Sequence, residues 1–345
     1  MFLRSLFGIG VFLGSMGAGW GLRRMGRLTE ARASMLVRGV VTWSSPVVLC
    51  LSFWRMELRA VQPWLLPLIG MVVSCSTMAP ALLYARRARL TPPQTGSFLT
   101  CAIFSNVGYL GAFTAFALFG EAGYALCMAY LAFFSPCFYT IGFWIASHYG
   151  HPSLASAQHT LLKQDAGELT RYPIAGMLLG IALSLAEIPR PLLLEQLNHV
   201  LIPLSTALYL IAVGSQLAFD SPRPRRGTPT VTFGEAKRVG VAEGSVDACE
   251  GIDRPWWRAC VAMSAMKFLY TPLVAAALLA VVPIHGLART IVLLESATPV
   301  AVSPLVLPLL FGLDRRLSNA LWFFTTLASI PVFLVLIPLL RLLAP

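Results

Sequence analysis

Charge is scarce in this sequence. Only 12% of its 345 residues are Asp, Glu, Lys or Arg, and the mean hydropathy is +0.73. A soluble globular domain carries about twice that charged share. The apolar residues also come in long unbroken runs, not in a half-buried periodicity, which excludes an ordinary solvated surface and points to a lipid-facing one. Aspartate is missing from those runs altogether: Asp165, Asp220, Asp247, Asp253 and Asp314 all fall between them. A paired-aspartate ion site at membrane depth is thereby excluded. The seven cysteines show no paired spacing, and all but Cys249 lie in or beside apolar runs, where Cys acts as a small hydrophobe. This argues against a disulfide framework and against a zinc site.

Catalytic patterns are missing too. There is no P-loop, zincin or nucleophile-elbow motif, and Gly17, Gly19 and Gly21 follow no strand, so they read as close helix packing and not as a dinucleotide fingerprint. Catalysis inside the membrane would need a nucleophile–base pair or a metal set, and the runs offer at most His199, at the edge of one of them. His148, His151 and His159 lie close together in a hydrophilic linker and read as a solvated loop. The sequence thus gives no catalytic residue, no metal ligand set and no cofactor.

What is present is a set of apolar runs of about 20 residues, the length that crosses a bilayer. They cover 5–22, 35–53, 61–85, 96–119, 123–147, 173–187, 199–218, 259–283, 287–311 and 317–340. The first ends in Arg23, Arg24 and Arg27 and lacks a small-residue cleavage site, so it reads as a span and not as a signal peptide. The +11 net charge is a topology signal and not a nucleic-acid one, because the basic residues sit in short connections. With the amino terminus outside, the cytoplasmic connections hold 19 Lys and Arg against 6 on the opposite side, with Lys267 inside a span. Both termini are therefore expected on the non-cytoplasmic face of the cell (inner) membrane. Trp20, Trp54, Trp64, Trp256 and Trp257 stand at span ends, where an amphipathic ring suits the headgroup zone.

Two landmarks recur 192 residues apart: Pro80 with Pro272, and Leu118-Phe119-Gly120 with Leu310-Phe311-Gly312. Five spans per half is an odd number, so the halves have opposite orientations, a construction known from secondary transporters whose site lies at the repeat interface. The expected organisation is a first repeat over 1–147, a linker over 148–172, and a second repeat over 173–345 containing a Gly-, Pro-, Ser- and charge-rich cytoplasmic insertion at 220–255.

The same offset lays Ser105, Asn106, Gly108 and Gly111 of the fourth span over the neighbourhood of Thr298, Pro299 and Ser303 in the ninth. Glycine weakens a helix and lets backbones approach; Pro299 and Pro304 each remove a donor and clash with the preceding turn. Both halves are thus expected to interrupt a helix at one depth, the fourth by glycines alone. Interrupted helices expose free N–H groups that favour anions and free carbonyls that favour cations, and such backbone is tolerated only when buried in protein or lining a watery cavity. Two ionisable residues, Lys267 in the eighth span and Glu295 in the ninth, lie within the membrane, with backbones about 10 Å apart in depth from the helix rise. Lys267 has two roles open to it: counter-charge to a substrate, or partner of backbone carbonyls or of Glu295.

At these residues the sequence resembles the auxin efflux carrier family of permeases. The resemblance rests on Asn106, Gly108, Tyr109 and Gly111 in the fourth span, on the stretch from Glu295 to Gly312 in the ninth, and on Pro46 and Pro203. Phe113 stands where the family carries a proline. The resemblance implies an all-α polytopic fold of about ten transmembrane helices in two inverted five-helix repeats, similar to sodium/proton antiporters. It also implies that broken helices 4 and 9 cross in a moving domain (helices 3–5 and 8–10) beside a scaffold (helices 1, 2, 6 and 7) that is often homodimeric. The implied activity is alternating-access transport of a small organic anion such as a carboxylate, not an enzyme activity. Ser105, Asn106, Gly108, Gly111, Lys267, Glu295, Thr298, Pro299 and Ser303 are the expected substrate-binding residues. A sodium-coupled symporter of the bile-acid type and a non-transporting membrane sensor or scaffold are the alternatives.

Overall fold

The computed structural model describes residues 2–56, 58, 62–150, 171–215 and 256–343. The insertion 220–255, most of the linker, and His151 and His159 with it, lie outside the described residues. Those described are helical almost throughout, and among them the only strand-like feature is an isolated antiparallel bridge between Ser105 and Val300. Among the described residues, six helical stretches are long and apolar enough to cross a membrane. The protein is therefore an all-α polytopic membrane protein.

In chain order the helices are α1 (Phe2–Arg24), α2 (Ala31–Trp54), α3 (Gln62–Arg87), α4 (Pro92–Ile103), α5 (107–119), α6 (121–149), α7 (Arg171–Leu185) and α8 (Leu192–Gly214). They continue as α9 (Trp256–Val281), α10 (Gly286–Ser296), α11 (Leu307–Phe311) and α12 (Arg315–Leu343). α5 and α6 form one helical stretch of 43 residues that would measure about 65 Å if straight, twice the hydrocarbon thickness. Gly120, at φ 64° and ψ −153°, turns the chain between them. Gly312, at φ 67° and ψ 32°, likewise ends α11. The two Leu-Phe-Gly landmarks are thus two turns with positive φ, a region that only glycine enters freely.

The proline landmarks mark irregularities as well. In α3 the helix is interrupted at Thr77, and Pro80 leaves the Ser76 carbonyl without its usual partner; the Tyr270 hydroxyl of α9 donates to it at 3.2 Å. α9 carries a π-turn at Met266–Tyr270 directly before Pro272. Shifted back by 192 residues, that turn falls on 74–78, across the interruption in α3.

Glycines set the close approaches. A Cβ on Gly214 of α8 would meet the Met16 backbone of α1, and one on Gly19 of α1 would meet Ile211 of α8. Gly176 and Gly180 of α7 lie in the same way against Pro46 and Cys50 of α2. Small residues at these crossings replace the hydrophobic driving force that lipid cannot supply. The connection after α2 meets the one after α7 through Trp54 Nε1 donating to Ile188 O at 2.7 Å and Ser184 Oγ to Met56 O at 2.6 Å. Arg23, at the end of α1, donates to Ser215 O at the end of α8, and Ser97 of α4 donates to Asp314 O beyond α11.

Candidate functional site: two interrupted helices side by side

α4 stops at Ile103. Phe104 (φ −94°, ψ 118°) and Asn106 (φ −79°, ψ 51°) leave helical geometry, and a π-turn at Val107–Gly111 restarts the chain as α5. α10 stops at Ser296, and helical structure resumes only with the 3-10 turn Ser303–Val306. Each interruption frees backbone groups that must find partners when buried. They find them in each other. Asn106 N–H donates to Pro299 O at 2.7 Å and Ala301 N–H to Phe104 O at 3.0 Å, which makes the Ser105–Val300 bridge. Val300 N–H donates to Thr325 Oγ1 of α12 at 3.2 Å.

This corrects one expectation. The fourth-span break is not made by glycines: it lies at 104–106, ahead of Gly108 and Gly111, which sit inside the π-turn. The helix opens there because its carbonyl and amide are held by the opposite break. Gly111 serves a different purpose. A Cβ on it would lie 2.6 Å from Glu295 Cδ and 2.8 Å from Oε1, so its missing side chain makes room for that carboxyl group. Phe113 is buried within continuous helix beyond the π-turn, where no second interruption forms.

Lys267 and Glu295 are both buried, and they do not pair. The Lys267 ammonium donates to Ala102 O at 2.6 Å and to Ser105 Oγ at 2.8 Å. It therefore sits on the last turn of α4, where a cation complements the free carbonyls and the helix dipole. Two of its three donors are used there. Glu295 Oε1 accepts from Cys127 Sγ of α6 at 2.9 Å, while Oε2 has no hydrogen-bond partner. Asn106 Oδ1 accepts weakly from Leu110 N at 3.5 Å, and its Nδ2 is also without a partner. Thr298 Oγ1 donates to Glu295 O at 2.8 Å and holds the end of α10.

Of the nine residues expected from sequence, the structure brings Ser105, Asn106, Gly111, Lys267, Glu295, Thr298 and Pro299 to the two breaks. Gly108 faces Leu131 of α6, with 3.0 Å left for a Cβ. Ser303 opens the 3-10 turn past the break and is half-buried, with no hydrogen bond to the others. Two residues at this place give no signal in the sequence. Cys127 looks like a core cysteine until it meets Glu295. Tyr209 of α8 stacks on Tyr109 at 3.9 Å between centroids and 10° between planes, covering the π-turn.

The arrangement is thus a pair of broken helices clasped back to back, with one free amide donor, one free carboxyl oxygen and one ammonium among buried surroundings. A family model described as membrane transport protein matches residues 11–337. An uncharacterized transporter of Methanothermobacter thermautotrophicus is 24% identical over 316 residues, covering 90% of each chain. With nearly its whole length matched, the chain belongs to this membrane transport protein family, that of the auxin efflux carriers.

Proposed function

We propose that the protein is an alternating-access carrier for a small organic anion, with ten spans in two inverted halves, 1–147 and 173–345. Membership in a membrane transport family supports transport rather than catalysis. The observation that carries the reading is the clasp between the breaks, which leaves polar groups unpartnered at a buried place. Asn106 Nδ2–H and the remaining Lys267 donor suit the anionic end of a substrate. Glu295 Oε2 suits a hydroxyl or a protonated carboxyl on the same molecule. Leaving such groups unsatisfied costs about 1–3 kcal/mol each, so a ligand that satisfies them gains both affinity and selectivity.

The interruptions support this span count. α4 and α10, at 12 and 11 residues, are too short to cross alone; continued by α5 and α11 they become the fourth and ninth spans. Alternation then puts the connections after α2 and α7 on one side, where Trp54 and Ser184 join them. It puts Arg23 with Ser215, and Ser97 with Asp314, on the other. The close pairings α1 with α8 and α2 with α7 exchange under the same two-fold relation, since they are spans 1 and 7, and 2 and 6. These four helices form the scaffold, and a homodimer through it is the assembly that the reading expects. The charge bias of the connections supports both termini on the non-cytoplasmic side.

Flux of labelled mono- and dicarboxylates into proteoliposomes tests the proposal. Uptake of at least one, lost in Asn106→Ala at unchanged expression, is the expected result. Binding without flux across a broad panel overturns it.

A further inference from the structure

The crossing does not use every buried charge. Glu121 follows the Gly120 turn between α5 and α6, and Arg190 lies just before α8. Arg190 Nη2 donates to Glu121 Oε2 at 2.7 Å, with side chains only 7% and 2% exposed. Arg190 Nη1 donates to Leu51 O of α2 at 2.8 Å. Glu195, which pairs with Arg55, comes within 3.8 Å of the same guanidinium. His199 Nε2 lies 3.9 Å from Glu121 Oε1, which has no hydrogen-bond partner, and its ring sits 5.5 Å from that of Phe116.

Three of these contacts, Arg190–Glu121, His199–Glu121 and His199–Phe116, tie α5–α6 to α8 and the connection before it, and the others anchor Arg190 and Glu195 to α2 and its end. Glu121 and Phe116 belong to the helices of the crossing; Arg190, Leu51, Glu195 and His199 belong to the scaffold. The seam continues inward along the same two helices to the Tyr109–Tyr209 stack. The 192-residue repeat offers a control within the molecule. The position equivalent to Glu121 is Leu313, which is buried against Gly96, Phe143 and Phe311 of the moving helices. The second turn thus has no charge at this position, and the neighbouring Asp314 accepts from Leu317 N of α12 through Oδ1 and from Ser97 of α4 through its carbonyl. Among the described residues the buried ion pair is therefore found at the first turn and not at the equivalent position of the second.

A buried ion pair is poor evidence of net stability, but separating it inside a low-dielectric seam strands two charges. Such a pair resists separation until water reaches both members. We propose that Glu121–Arg190 is the non-cytoplasmic latch of this carrier, closed in the present conformation, and that it must part before the crossing opens to that side. The latch rests on the alternating-access reading for its meaning, and its test is kept separate from flux.

The direct test is hydrogen–deuterium exchange on the full chain in lipid nanodiscs. Glu121→Gln keeps the shape and removes the charge. Amides in 107–121 and 186–210 should exchange about tenfold faster or more, while 92–103 and 307–313 stay as in the parent protein. No change, or a uniform rise across all four segments, overturns the latch, since a uniform rise means lost stability only. The second arm joins Glu121→Cys and Arg190→Cys with a short bis-methanethiosulfonate linker that a reductant removes. Exchange in the outer segments should stay at the parent level, and carboxylate flux should fall to background and return on reduction. Full flux in the linked protein overturns the latch. If the parent protein itself moves no carboxylate, the transport reading fails and the exchange result alone decides the latch.

Discussion

Gly111 offers the sharpest test of the crossing, because the effect of adding one methyl group should change sign with its neighbour. The residue has helical dihedrals, φ −62° and ψ −56°, so alanine is conformationally welcome there. On propensity alone Gly111→Ala should stabilise the helix by about 0.8–1 kcal/mol. The structure predicts the opposite. The new Cβ would stand 2.6 Å from Glu295 Cδ and closer still to Oε2, well inside van der Waals contact. Glu295 is 1% exposed, so its carboxyl group has nowhere to retreat without losing the Cys127 hydrogen bond. Overpacking of this kind costs about 1–3 kcal/mol, and the lost bond adds about 1. The net expectation for Gly111→Ala is destabilisation of about 1–3 kcal/mol. In a Glu295→Ala background the obstacle is gone, and the same substitution should become neutral or stabilising by up to about 1 kcal/mol. Thermal unfolding midpoints of the four purified proteins, at one scan rate and in one detergent, provide the cycle. Equal shifts in both backgrounds would refute the contact and, with it, the account of why glycine stands there.

Three further expectations use other features. Gly120, at ψ −153°, occupies a region open to glycine alone, whereas Gly312 is left-handed helical, so Gly120→Asn should cost about 1–3 kcal/mol and Gly312→Asn no more than about 1; paired thermal melts compare them. Lys267→Met removes the donor to Ala102 O and Ser105 Oγ, a loss of about 1.5–3 kcal/mol per charged hydrogen bond, and should lower carboxylate uptake at least tenfold; parent-level uptake would show that the ammonium is dispensable. Tyr209→Phe should keep the stack on Tyr109, while Tyr209→Ala should lose about 0.5–1.5 kcal/mol beyond the lost area, seen as a lower melting midpoint for Ala than for Phe.

Much of the architecture is legible in the sequence because lipid simplifies the code. Long apolar runs can only be spans or deep core, and closely spaced prolines can mark where a helix fails, although Pro67, Pro203, Pro331 and Pro338 are carried inside continuous helix. Pro299 and Pro304 locate the second interruption to within a turn, and the Leu-Phe-Gly pair marks two glycine turns with positive φ. The first interruption is less legible. Gly108 and Gly111 draw the eye, yet the helix opens ahead of them, because Asn106 N–H and Phe104 O are drawn to a partner far along the chain. No local pattern carries that information. The same holds for Cys127 beside Glu295 and for Arg190 beside Glu121: each looks ordinary in its own segment, and only the packing of distant helices gives it a role. The short seventh helix shows a gentler limit, since its expected end at 187 lies two residues beyond Leu185, where the helix stops.

The bridge between Ser105 and Val300 also bears on how the protein is made. The first interrupted helix reaches the membrane early in synthesis, but the groups that complete it belong to a segment translated long afterwards. Until Pro299 and Ala301 emerge, Phe104 O and Asn106 N–H have no native partner, and hydrocarbon offers none. The nascent first half must therefore either run as an unbroken helix through this stretch or shelter it against the insertion machinery. On this view the broken helix is a late product of biogenesis. On the first of these routes it opens when the segment carrying Pro299 and Ala301 inserts beside it, and a chain truncated before Val300 keeps 92–119 straight through this stretch.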